Sequence, residues 1–364
     1  MRKLNTFILS LVVLGIVIGL GMYLNRKHGP PPAQPPVQSS IAAPTTNRSL
    51  RHIQSQSAPR DLSEPLQPTD VAQLPREKVE EYLARHRRDV ASLLAAFHAL
   101  QDTNYLLEAA TNFPNDPHLQ WTILARNAFP EDRRKWLDAF KTSSPSNSLA
   151  NYLSAQDYFK NHQPEAAMKE IAAASSKSQF ADYSIETILD AEELYRFNGS
   201  SDADTHTGAM TTVSDELHQL SQFKDLARGL QDLQHQYANS GDAASVHALA
   251  KMGIDFANRI ATGDNGKFVI NQLVANASQA IVLEALDQNT SYDFLAGETP
   301  AQRLADIKQQ KLSIQELNKS FVAAIASATG DQMNGFYERS KIYGELPAIR
   351  WLVQQTIATP NTGN

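Results

Sequence analysis

From Arg76 onward, apolar residues return every three or four positions, and no stretch alternates apolar and polar residues as a strand would. That period restricts the body of the chain to packed helices. The first helix, about 76–100, carries Val79, Leu83, His86, Val90, Leu93, Phe97 and Leu100 on one stripe. Pro75 stands just ahead of it, where proline is tolerated. Asp116-Pro117, Pro130-Glu131-Asp132 and Pro164-Glu165 each combine start signals for further helices. The segment 198–212, NGSSDADTHTGAMTT, is nearly without apolar residues and reads as a mobile surface loop. Beyond it the spacing predicts longer helices over about 214–239, 243–261 and 267–287. Short turns at 239–242 and 262–266 join them, so they pack as antiparallel neighbours. Thr299-Pro300 opens a helix to about Gln310. Ser313 with Glu316 forms a capping box for another that ends near Ala328. Short helices over about 331–342 and 347–358 close the body.

The expected fold class is therefore all-α: antiparallel helical hairpins in a repeat-like solenoid or bundle. The divisions are a helical region over 76–198, a loop over 199–212, a helical-hairpin region over 213–358 and a tail over 359–364. The stretch LANYLSAQDYFKNHQPEAAMKEIAAA, 149–174, resembles a tetratricopeptide repeat. Ala155 and Tyr158 match the small and aromatic positions of that family's first helix. Ala167 and Ala174 match the small positions of the second. Gln179 stands where the family has proline. Pro114 and Pro145 are 31 apart, near the family's period of about 34. The resemblance covers about 105–180. It implies a stacked-hairpin architecture; Tyr152 and Tyr158 in that hairpin are the candidate residues for a concave partner-binding face, with packing in the core as the favoured alternative for both. The stretch LARGLQDLQHQYANSGDAASVHALAKMGIDFANRI resembles helical hairpins of uncharacterised bacterial envelope proteins, and that resemblance implies no activity.

Ahead of the body, residues 5–24 form an uncharged apolar run of 20 residues, flanked by Arg2, Lys3, Arg26 and Lys27. At 1.5 Å per residue it spans about 30 Å, the thickness of a bilayer's hydrocarbon core. The run is long for a signal peptide and lacks a good small-x-small cleavage site. It reads as a single-pass signal anchor over 1–27, with the body outside the cytoplasm, in a periplasm-like compartment. Residues 28–75 hold 10 of the 18 prolines in the chain and have no apolar period, so they read as an extended tether.

Composition removes several functions. The chain has no cysteine, which excludes disulfides, thiolate metal sites and cysteine nucleophiles. The first 75 residues carry 7 Lys and Arg against 3 Asp and Glu, out of 33 and 39 in the chain. The body is therefore acidic, which argues against a nucleic-acid surface. No HExxH or GxSxG motif occurs. His98 and His118 stand isolated. His235 and His247 face each other across a predicted hairpin without a third ligand. Asp202, Asp204 and His206 begin like a calcium loop, but Thr207 and Val213 break the pattern. The turn GDNGK, 263–267, lacks the spacing of a phosphate loop. No catalytic, metal or cofactor residue is expected, and the chain reads as a non-enzymatic scaffold that binds a protein or peptide. An envelope hydrolase on a helical scaffold is the alternative. A homo-oligomer built on the apolar 267–287 helix is a third reading.

Overall fold

Several helix starts of this protein are set by short polar side chains that accept free N–H groups of the first turn. The computed structural model describes residues 74–220 and 222–358, and among them the fold is all-α, with fifteen α-helices and no strand. The expected anchor at 5–24, the tether up to residue 73 and the tail at 359–364 lie outside the described residues. No helix among the described residues is long and apolar enough to cross a membrane.

The predicted 76–100 helix is two helices, α1 (Arg76–Arg85) and α2 (Val90–Leu100). Between them Arg87 and Arg88 adopt left-handed backbone angles. Side chains offset that cost. Arg88 donates to Glu80 at 2.7 Å and to Glu108 at 2.6 Å, and Asp89 caps α2 by accepting the Ser92 N–H at 2.9 Å. α3 (Thr103–Asn112), α4 (Pro117–Arg126) and α5 (Arg133–Ser143) follow. Asp116 caps α4 with Pro117 at its first position, as the sequence indicates. α6 (Leu149–Lys160) and α7 (Pro164–Ser175) form a helical hairpin. Ala155, Ala167 and Ala174 are fully buried there, and their small side chains let helices pack closely.

The segment 199–212, expected as a flexible loop, is a correction. α8 (Ser184–Phe197) is followed almost at once by α9 (Asp202–Leu220), which takes up most of it. Ser201 stands before the first turn and accepts the Asp204 N–H at 3.2 Å, and Asp202 and Asp204 suit the helix dipole. The buried face of this turn is Thr205, His206, Ala209 and Thr212, which a search for large apolar residues passes over. Gly208 lets α9 approach α8: a Cβ there would stand 2.2 Å from the Tyr195 ring. The helix predicted over 214–239 is correspondingly split between α9 and α10 (Phe223–Asn239).

α11 (Ala243–Ile260) and α12 (Val269–Leu283) match the predicted spacing closely. The apolar face of α12 is covered by α10, α11 and α13 (Pro300–Ser327) of the same chain. Its strong hydrophobicity is therefore that of a central helix. The capping box expected at Ser313 is a second correction. α13 runs through it unbroken for 28 residues, with Ser313 exposed and the buried stripe continuing at Ile307, Ile314 and Phe321. The true boxes are Thr299 with Gln302, and Thr329 with Gln332. α14 (Gly330–Tyr343) and α15 (Glu345–Ala358) pair as the last hairpin.

The two predicted helical regions share one core. α4 packs on α9, α6 on α10 and α7 on α11. Tyr152, Phe180, Phe223 and Phe256 meet at this junction, with ring centroids 4.6 Å apart for Tyr152–Phe256 and 5.5 Å for Phe223–Phe256. Each such ring contributes about 1.5–3 kcal/mol of burial energy. Helices and their connections thus fix which polar groups end up inside.

Candidate functional site

Tyr152 is not on a binding face. It is 1% exposed and its ring lies against Phe256 and Phe180. Tyr158 is half-buried, with the Arg134 guanidinium 4.5 Å above its ring. The two tyrosines do not form one surface. Their repeat-like spacing reflects packing inside the hairpin and against α11.

The densest polar chemistry lies where α2, α4, α8 and α9 meet. Glu216 is fully buried. Its Oε1 accepts the Thr122 hydroxyl at 3.1 Å and stands 3.3 Å from His98 Nε2. Its Oε2 receives the Thr187 hydroxyl at 3.4 Å. Burial pushes this carboxyl up, but the adjacent His98, then His118 and Arg126, outweigh it and hold it below the usual carboxylate range. Thr187 also meets His118 Nε2 at 3.0 Å, and His118 Nδ1 lies 4.0 Å from Asp190. Burial holds His118 down at about 4, so its ring is neutral at neutral pH. Asp190 is pushed up to about 7 by burial and by Glu193, Asp89, Glu186 and Asp116.

The order Asp190, His118, Thr187 is that of an acid, a base and a nucleophile, but the Thr187 hydroxyl is shared between His118 Nε2 at 3.0 Å and Glu216 at 3.4 Å. Thr187 is also 2% exposed. The group acts as a buried polar lock joining four helices. His98 and His118 look isolated in sequence because their partners arrive from far along the chain: Thr187 is 69 positions from His118, and Glu216 is 94 from Thr122.

A second cluster joins α8, α9 and α14. Glu192, His206 and Glu338 each offer a ligand atom, and these atoms lie within 4.8 Å of one another, a spacing a metal ion would accept. The Lys341 ammonium bridges the two carboxylates, 2.9 Å from both Glu192 Oε2 and Glu338 Oε1. His206 Nδ1 lies 3.0 Å from Glu192, and Arg196 lies 3.2 Å from it. Burial raises the Glu192 carboxyl, but His206 and Lys341 together bring it down to about 2. The positive charge that a metal would supply is thus already built in. His235 and His247 are both exposed, and His247 packs edge-on against Tyr292.

Two grooves are open to solvent. The first, about 400 Å³, lies between the turn of the α6–α7 hairpin and α10. Phe159, Pro164 and Leu233 give it an apolar floor, and Lys160, Asp225, Arg228 and Asp232 a charged rim. Gly229 shapes it: a Cβ there would stand 2.7 Å from the Phe159 ring. The second, about 360 Å³, lies between residues 178–186 and the turn at 262–265. No protein-family model, curated protein or solved structure matches this chain.

Proposed function

We propose that the protein is a membrane-tethered helical scaffold, facing the cell envelope, whose body holds a polypeptide segment rather than transforming a substrate. The first groove carries this reading. It joins an apolar floor to a rim of both charge signs, the pattern that seats a short peptide by its side chains and orients it by its charges. It lies on the hairpin that resembles a tetratricopeptide repeat, and the stacked-hairpin architecture of that family is part of the proposal. The burial of the Glu216 cluster supports the same reading, since Glu216, Thr187 and His98 are all closed off from solvent. The apolar run at 5–24 supports the tether.

The test is a photocrosslinker placed at Gln236 on the groove in the full-length protein in intact cells. The expected result is a discrete adduct that Arg228→Glu with Asp232→Lys abolishes and that Lys319→Glu, on an exposed ion pair of α13, leaves intact. Folded protein that gives no adduct dependent on those rim charges would overturn the reading.

A further inference from the structure

The second groove differs in chemistry from the first. At its base lies Asp182, 2% exposed. Asp182 Oδ1 accepts the Ser184 N–H at 3.1 Å, and Oδ2 meets the Asn271 amide nitrogen at a long 3.4 Å. Among the described residues no lysine, arginine or histidine pairs with this carboxyl: burial raises it, outweighing the hydrogen bonds from Ser184 and Asn271, and the charge of Glu216 adds to the rise, bringing it up to about 6. Ser184, also 2% exposed and lining the groove, has a hydroxyl with no hydrogen-bond partner. Behind them the Asn271 side-chain oxygen is likewise unpartnered.

The other charges around the groove do not meet this demand. Arg259 is the one cation among its lining residues, and its guanidinium donates to the carbonyls of Lys177 and Ser175 at the end of α7. Glu186 and Asp264 stand on the rim, and Asp264 pairs with Lys267 at 2.7 Å. Phe180 and Tyr183 supply aromatic surface to the walls. The groove thus offers a buried carboxyl, a hydroxyl and two aromatic residues in its walls, and the one guanidinium that lines it is turned to backbone carbonyls. A desolvated carboxylate without a counter-ion is costly, and a bound cation removes that cost. Aromatic walls add a further attraction for a cation.

We propose that this groove binds an organic cation, an alkylammonium or guanidinium group, with Asp182 as counter-ion, Ser184 as hydrogen-bond acceptor, and Phe180 and Tyr183 along its stem. The group could be supplied by a free amine or by a lysine or arginine side chain of a bound polypeptide. The proposal stands apart from the peptide groove and survives or fails without it.

The experiment is calorimetric titration of the full-length protein with four probes: 1,5-diaminopentane, capped lysine, capped arginine and the neutral capped norleucine. Saturable binding of at least one cation at a Kd of about 1 mM or tighter is expected, with norleucine silent. Asp182→Asn should weaken that binding at least about tenfold and Ser184→Ala a few-fold. A diamine stronger than the capped residues points to a free amine, and the reverse to a side chain. Should Asp182→Asn fail to fold, the contrast of cation with norleucine and the Ser184→Ala variant decide. No saturation by any cation overturns the proposal, as does norleucine binding equally well. So do folded Asp182→Asn and Ser184→Ala variants that bind like the parent.

Discussion

Glu345 shows how one side chain can tie stability to pH. It heads α15 yet reaches back to accept the N–H of Val269, the first residue of α12, at 2.7 Å. Burial pushes its carboxyl up to about 7. Between the ordinary carboxylate value near 4.5 and that value, the folded protein keeps a proton that the unfolded chain has released. The parent protein therefore loses stability as pH rises through that window, by up to about 3 kcal/mol from this group. Glutamine keeps the acceptor for Val269 and cannot ionise. Glu345→Gln is expected to gain on the parent as pH rises from 5 to 8 in urea denaturation. A parent whose advantage instead grows with pH would disprove the assignment.

Among elements, α8 and α9 depend on a missing side chain. Gly208→Ala places a methyl group into the Tyr195 ring, which costs about 1–3 kcal/mol, against about 1 kcal/mol gained in helix propensity. Gly330 at the start of α14 has nothing within 4 Å of an added Cβ, so Gly330→Ala should stabilise by about 0.5 kcal/mol. Thermal melts of the two variants should move in opposite directions; a shared direction would contradict this packing. The same pair of helices marks the limit of what the sequence reveals. Helices opened by Asp116-Pro117 or Thr299-Pro300 were legible, because capping is chemistry between near neighbours. The first half of α9 was not, because Thr205, His206 and Ala209 bury their small or polar side chains against partners supplied by other helices. The break at Arg87 and Arg88 was hidden for the same reason: Glu108, on α3, helps hold it. The polar groups around Glu216 were visible as residue types, but their convergence is a property of tertiary packing. The grooves follow from how hairpins meet and left no local pattern to read.

At the scale of the molecule, the C-terminal hairpin is fastened through charge. Lys341 crosses from α14 to Glu192 on α8, 149 positions earlier. Lys341→Met should cost about 3–5 kcal/mol, since Glu192 would stay buried with less compensation. Limited proteolysis should then cut faster near 328–329, between α13 and the hairpin. Pairing it with Glu192→Gln should restore much of the resistance, because no uncompensated charge is left inside. Equal cutting of parent and Lys341→Met would mean that apolar packing alone holds the hairpin.

That long span also has a consequence in time. A ribosome adds roughly 5–20 residues each second, so Glu192 is made about 7–30 s before Lys341. For that interval the nascent α8–α9 pair carries a carboxylate destined for burial that has its local neighbours Arg196 and His206 but not yet the ammonium of Lys341. The last helices to be synthesised therefore complete the first half of the body as well as their own hairpin. A chain released early would leave an acidic, half-covered face, the kind of surface that chaperones and quality-control proteases engage.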